Sequence, residues 1–230
     1  MFYYGPDYYI SYLIFVLPAL ILAMFAQNKV KSTFNKYLRV SNNTGLTGAQ
    51  IARLILDRNN LSNISVEYTK GHLTDHYDPR KKVIKLSSDV YGGSSIAAMS
   101  VAAHEVGHAL QHSENYLPLV VRNTIVPVVN LGSNLVWLLI LLGFLIDYFF
   151  IELGIFVFLG VVIFHLITLP VEFNASRRAL VQLENDISPI ENIEPAKQVL
   201  SAAALTYVAS AMVAIGELAR IIFMTRNRRN

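Results

Sequence analysis

Long uncharged runs alternate with polar stretches along this chain. Residues 8–26 and 123–146 carry no charged side chain, and 154–171 carries none apart from a possible charge on His165. Each run is about 18–24 residues, or about 27–36 Å as helix, which is enough to cross a hydrocarbon core. Three transmembrane helices are therefore expected over these ranges. A fourth region, 199–224, opens with an apolar stretch rich in Ala, Ser and Thr. It is long enough to span, but its small residues equally suit a buried helix.

The polar stretch 27–122 has its own pattern. Ser41-Asn42-Asn43-Thr44-Gly45 reads as a turn-rich linker, and Thr47-Gly48-Ala49-Gln50 has capping-box spacing. Ile51, Leu54 and Ile55 then continue at helical spacing, predicting an amphipathic helix over 48–60. Residues 64–68 alternate like a strand and 82–87 read as another, with a turn at 75–80 between them. Such a pair is either a shelf for an extended peptide or an ordinary hairpin over a small core. A Gly92-Gly93 break, a serine N-cap candidate and an alanine-rich run predict a closely packed helix after residue 94.

Composition supports a membrane location. The chain is 53% hydrophobic and 15% charged, with a mean hydropathy of +0.42, too apolar for an ordinary soluble domain. The first run has no basic residue ahead of it and is followed by Lys29 and Lys31, so it reads as a retained span, not a cleaved signal. The absence of cysteine excludes disulfides and a thiolate metal site. Because the basic residues lie beside the spans, the net charge of +3 is a topology signal and not the mark of a nucleic-acid surface. The positive-inside rule puts 27–122 and 172–198 in the cytoplasm and 147–153 at the outer interface. Four full spans would leave Arg226, Arg228 and Arg229 outside, against that rule.

Within the alanine-rich helix lies His104-Glu105-Val106-Gly107-His108, the pattern H-E-x-x-H. A helix puts the two histidines on one face, about 5.4 Å apart along the axis, so that both can meet one Zn²⁺. Glu105 can then take a proton from a water acidified by the metal. A third ligand must come from elsewhere. His112 lies about 12 Å from His104 along a straight helix, too far to share the ion. Glu172, at the end of the third run, returns to the same cytoplasmic interface and completes a His₂Glu set, although it could instead pair with Arg177 or Arg178.

The runs DHYDPRKKVIKLS, SIAAMSVAAHEVGHALQH, LPVEFNASRRAL and AAALTYVASAM resemble the bacterial YugP-type neutral zinc metallopeptidases of the membrane, across nearly the whole chain. More distantly the layout resembles the gluzincin peptidases, including HtpX-type proteases. The resemblance implies that His104, His108 and Glu172 are zinc ligands and Glu105 the catalytic base. The chain departs from the gluzincin pattern at Ser176, where an Asp would orient a ligand histidine. The serine itself, Asp75 or Asp78 are the replacements to consider. A donor to the transition-state oxyanion is also needed, and His76, Tyr207 and Arg177 are candidates. His72 and His165 fit structural roles better than metal binding.

The sequence thus leads to a mostly α membrane protein with three to four transmembrane helices and a small α+β cytoplasmic zinc-peptidase region of gluzincin type. The expected activity is zinc-dependent endoproteolysis of membrane or membrane-proximal proteins, with the lipid bilayer as the other partner. Two further readings stay open at this point. One is an intramembrane zinc protease, and the other is a metal-binding scaffold without turnover.

Overall fold

The computed structural model describes residues 6–187 and 193–226. In chain order the elements are α1 (Pro6–Ser11), a π-helical segment (Tyr12–Val16), α2 (Leu17–Leu38), α3 (Gly48–Arg58), β1 (Ser65–Tyr68), β2 (His76–Asp78), β3 (Val83–Leu86), α4 (Ser88–Tyr91), α5 (Ile96–Ser113), α6 (Leu117–Leu145), α7 (Phe149–Asp186) and α8 (Glu194–Arg226). The described residues fall into two compact units. One draws on 6–26, Val120–Pro170 and 206–226, the other on Gln27–Leu119, 171–187 and 193–205.

The first unit is built from the apolar runs. Four helices are long and apolar enough to cross a membrane, over Tyr9–Leu38, Leu117–Leu145, Phe149–Asn185 and Glu194–Thr225. The region at 199–224 is thus part of one continuous helix of spanning length. Large apolar side chains such as Val128, Trp137 and Phe156 face outward, as a lipid-facing surface requires. The connection between the second and third runs is shorter than the expected 147–153. The Asp147 carboxylate accepts a hydrogen bond from the Phe149 backbone N–H at 2.8 Å, satisfying an otherwise orphaned donor and starting α7 at once. Within this unit Gly216 lies against the backbone of the π-helical segment, where an added Cβ would stand 2.2 Å from the Phe15 carbonyl oxygen. Residues 1–5, Arg228 and Arg229 lie outside the described residues.

The second unit is the α+β region. Thr47 accepts from the Gln50 backbone N–H and Gln50 accepts from that of Thr47, so the expected capping box starts α3. Ile51, Ile55 and Leu56 on its inner face are fully buried, each burial being worth about 1.5–3 kcal/mol. The strands are arranged differently from a simple pair. The segment expected to be only a turn contains β2, and the sheet order is β1-β3-β2. β1 pairs with β3 in parallel, Ser65 opposite Val83, while β2 pairs antiparallel to β3, Tyr77 opposite Ile84. The turn itself is tighter and later. Asp78 accepts from the backbone N–H groups of Arg80 and Lys81, and Lys82 takes the left-handed conformation at φ 51°. β3 is central, with Val83, Ile84 and Leu86 buried.

One core holds this unit together. Phe34 and Tyr37 of α2, the inner face of α3, β3, the alanines of α5, Ala179 and Leu183 of α7, and Val199 and Leu200 of α8 are buried in a single cluster. α5 runs through its middle, with Ala97, Ala98, Ala102, Ala103 and Ala109 all buried. The small side chains permit close helix approach. At Gly107 the approach to α7 leaves no room for a side chain, because a Cβ there would lie 2.5 Å from the Ala175 carbonyl oxygen. Replacing Gly107 by leucine should therefore push α7 from α5 and destabilise the protein by about 1–3 kcal/mol or more. Thermal unfolding in detergent measures this. A variant as stable as the parent would show that the helices are not in this contact.

Candidate metal centre and active site

The helix that carries H-E-x-x-H begins where its sequence says it should. Ser95 accepts a hydrogen bond from the Ala98 N–H at 3.1 Å, capping α5. One turn apart on that helix, the His104 and His108 rings lie nearly edge to face, with centroids 4.8 Å apart. Glu172 comes from α7. Its Oε2 stands 3.4 Å from His104 Nε2 and 3.5 Å from His108 Nε2. Among the described residues, these three side chains form a cluster whose ligand atoms all lie within 4.8 Å of one another.

The donor set fits a zinc ion. Each ring presents Nε2 to the carboxylate because its Nδ1 is engaged on the other side. Ser176 Oγ lies 3.2 Å from His104 Nδ1, and Gln111 Oε1 lies 3.0 Å from His108 Nδ1. Two imidazole nitrogens and a carboxylate oxygen, each ring held from behind, are what a three-ligand zinc site with an open fourth position requires. The serine thus does stand behind a ligand histidine. The two acids considered in its place are committed elsewhere. Asp75 accepts from the backbone N–H and hydroxyl of Ser87 at 2.7 and 3.0 Å, and Asp78 holds its own turn. Arg178 does not neutralise Glu172 either, since it makes a two-pronged bond to Glu114 at 2.7 and 2.8 Å.

Glu105 sits on the same helix between the two histidines, 8% exposed. Burial pushes its carboxyl above the ordinary carboxylate range, against the pull of His104 and His108, and the charge of Asp75 adds to the rise. A buried carboxyl beside a cluster of ligand side chains is equipped to exchange a proton with a small molecule bound there.

The remaining sequence candidates are distributed differently. His112 lies outside the ligand cluster, with its Nδ1 2.8 Å from the Tyr77 hydroxyl. Because successive residues of a strand face opposite ways, β2 turns Tyr77 to α5 and leaves His76 exposed, donating from Nδ1 to the Thr74 carbonyl at 2.8 Å. Tyr207 is half-buried on α8 within the first unit. Arg177 is exposed on α7. His72 bonds Asp89 at 2.8 Å, and His165 stacks edge-on with Phe164 in α7. Gln111 and Tyr77 were not singled out by the sequence. Gln111 could have been, because it follows His108 by three residues and so shares its helix face.

The comparisons agree with this arrangement. The family described as "Putative neutral zinc metallopeptidase" matches residues 12–226. The chain is 50% identical over 222 residues to "Putative membrane protease YugP" of Bacillus subtilis (strain 168), covering 95% of this chain and 98% of that one. No solved structure matches it. With His104 and His108 on α5 and Glu172 on α7 positioned as possible metal ligands, this chain belongs to the family that carries that description.

Proposed function

We propose that the protein is a membrane-anchored zinc endopeptidase that cuts membrane or membrane-proximal proteins. The observation that carries this reading is the meeting of His104 Nε2, His108 Nε2 and Glu172 Oε2 around one point, with the buried Glu105 on the same helix as the two histidines. Zinc held by these three residues would supply a Lewis acid and lower the pKa of water at the site. The chain's own part is proton handling and positioning. Glu105 takes the proton as the water oxygen bonds to the peptide carbonyl carbon, then gives it to the amine nitrogen as the C–N bond breaks. Ser176 and Gln111 keep the ligand rings in register. His76 and Tyr207 are our candidates for donation to the oxyanion, and loss of kcat at unchanged KM in His76→Ala or Tyr207→Phe would identify the donor.

The free edge of β2 is where we place an extended substrate, as an added strand. We assign the second unit to the cytoplasmic side, because Lys29, Lys31, Lys36 and Arg39 follow the first apolar run directly. In this cysteine-free chain, single cysteines at Asn43 and Tyr3 should respond oppositely to an impermeant thiol reagent in intact cells. Labelling at Asn43 would reverse the orientation.

Zinc content distinguishes the ligands. Glu172→Ala should be purified with little zinc, whereas His112→Ala should retain it, since loss of a supporting group costs only about 10–100-fold in affinity or activity. Normal zinc in Glu172→Ala together with loss in His112→Ala would show that the third ligand is misassigned.

Glu105→Gln should keep the fold and the metal while losing peptidase activity by about 10²–10⁴-fold or more, because the amide matches the carboxylate in size but takes no proton. Zinc-loaded variant and parent are to be compared on an unfolded-protein substrate. Equal turnover would remove Glu105 from the mechanism, and absence of turnover in the zinc-loaded parent would favour a metal-binding scaffold.

A further inference from the structure

We propose that Gln111, Asn174, Arg178 and Glu114 form a directional hydrogen-bond relay. It locks His108 in the tautomer that carries its hydrogen on Nδ1 and leaves Nε2 bare for a metal. The inference rests on the zinc-site reading above and deepens it by naming positioning residues that touch neither substrate nor metal.

The argument starts from which atoms can only accept and which can only donate. Gln111 is fully buried, and its side-chain amide has two chemically different ends. The Val171 backbone carbonyl can only accept, and it lies 2.8 Å from the Gln111 amide nitrogen. That fixes the amide nitrogen on the α7 side and turns Oε1 to His108. An amide oxygen has no hydrogen to give, so the 3.0 Å contact with His108 Nδ1 is a bond only if Nδ1 carries the hydrogen. In a neutral ring Nε2 is then the lone-pair nitrogen, the one facing Glu172.

The next links remove the remaining freedom. The second amide hydrogen of Gln111 goes to Asn174 Oδ1 at 2.9 Å. Asn174 is itself ambiguous until Arg178 Nε, which can only donate, meets the same oxygen at 2.7 Å. Arg178 is held in turn by its two bonds to the Glu114 carboxylate, the planar fork that gives such pairs their geometric precision. A flipped Gln111 would set its oxygen against the Val171 and Asn174 oxygens and its NH₂ against His108. Such a buried mismatch is disfavoured by the cost of unsatisfied groups. His104 has no such device, because the Ser176 hydroxyl can donate or accept.

The relay makes a prediction that simple packing does not. An amide turned by Val171 and Asn174 offers His108 only its oxygen, whereas leucine offers nothing and a carboxylate would set a second oxygen against those two acceptors. The full chain in detergent can be tested by histidine ¹⁵N NMR, without metal and at alkaline pH where imidazoles are neutral, and by zinc competition with a chelator. In the parent, His108 should show only the Nδ1–H tautomer. Gln111→Leu should give mixed tautomers and about 10–100-fold weaker zinc. Gln111→Glu should not restore the affinity, because its second carboxylate oxygen would meet the Val171 and Asn174 oxygens with no hydrogen to give. Arg178→Met should weaken zinc in the parent background and have no further effect in the Gln111→Leu background.

An unchanged His108 spectrum and unchanged zinc affinity in Gln111→Leu would overturn the relay. So would an equal loss from Arg178→Met in both backgrounds. Should Gln111→Leu fail to fold, Arg178→Met in the parent background decides alone, because Arg178 lies outside the buried core, and an unchanged zinc affinity there would overturn the relay. The NMR measurement needs no zinc. A parent that binds no zinc but shows the locked tautomer would sink the metal reading and leave the relay standing.

Discussion

The closeness of α5 to α7 at Gly107, where a Cβ would meet the Ala175 carbonyl oxygen at 2.5 Å, fixes where every ligand atom lies. The two helices use the same spacing around that contact. On α5 the histidines stand three residues before and one after Gly107. On α7 Glu172 stands three before and Ser176 one after Ala175. Residues at i, i+3 and i+4 share a helix face, so each helix frames its smallest contact residue with side chains of the candidate metal site. A larger residue at either centre would move a ligand from each helix away from its counterpart. Backbone proximity, more than any single hydrogen bond, therefore sets the 3.4 and 3.5 Å separations between Glu172 and the two rings.

That proximity also puts polar groups where water is scarce. Glu105, Gln111 and Glu172 are all buried, and burying an amide or carboxylate without partners costs several kcal/mol. The surroundings offset this by pairing donors with acceptors across the two helices, Gln111 to Val171 and Asn174 and Arg178 to Asn174. In a region of low dielectric such pairings are stronger and also more selective, because a wrongly oriented amide finds no water to rescue it. The same low dielectric that raises the Glu105 carboxyl makes the amide orientation of Gln111 a structural commitment.

Legibility in the sequence followed the range of the interaction. Local signals were read directly: the Thr47–Gln50 capping box, the serine cap of α5, the histidine pair one turn apart, and the apolar runs. Glu172 was reachable because topology returned its run to the same side. The strand order was not reachable, since the parallel pairing of β1 with β3 is a non-local choice and β2 is only three residues long. Alternation marks a strand but not its neighbour. Ser176 could be noticed only as a departure from a pattern, and its place behind His104 needed the helix contact. Gln111 was hidden for a different reason. Glutamine is an ordinary helix residue, and nothing local to it says that a carbonyl sixty residues away will fix its amide.

The membrane runs and the metal site are not separable pieces of chain. Three long helices contribute to both units, with the divisions falling after Ala26 in α2, after Pro170 in α7 and after Leu205 in α8. The buried cluster around α5 takes Phe34 and Tyr37 from the first of these, Ala179 and Leu183 from the second, and Val199 and Leu200 from the third. A fragment confined to Gln27–Leu119 would keep H-E-x-x-H and the sheet but lose Glu172, Ser176 and two walls of the core. Its polar residues on α5 would then lack the partners that offset their burial. Helices that begin or end in apolar runs are thus the framework on which the candidate metal site is assembled, and Glu172 directly follows Val171, the last residue of one such run.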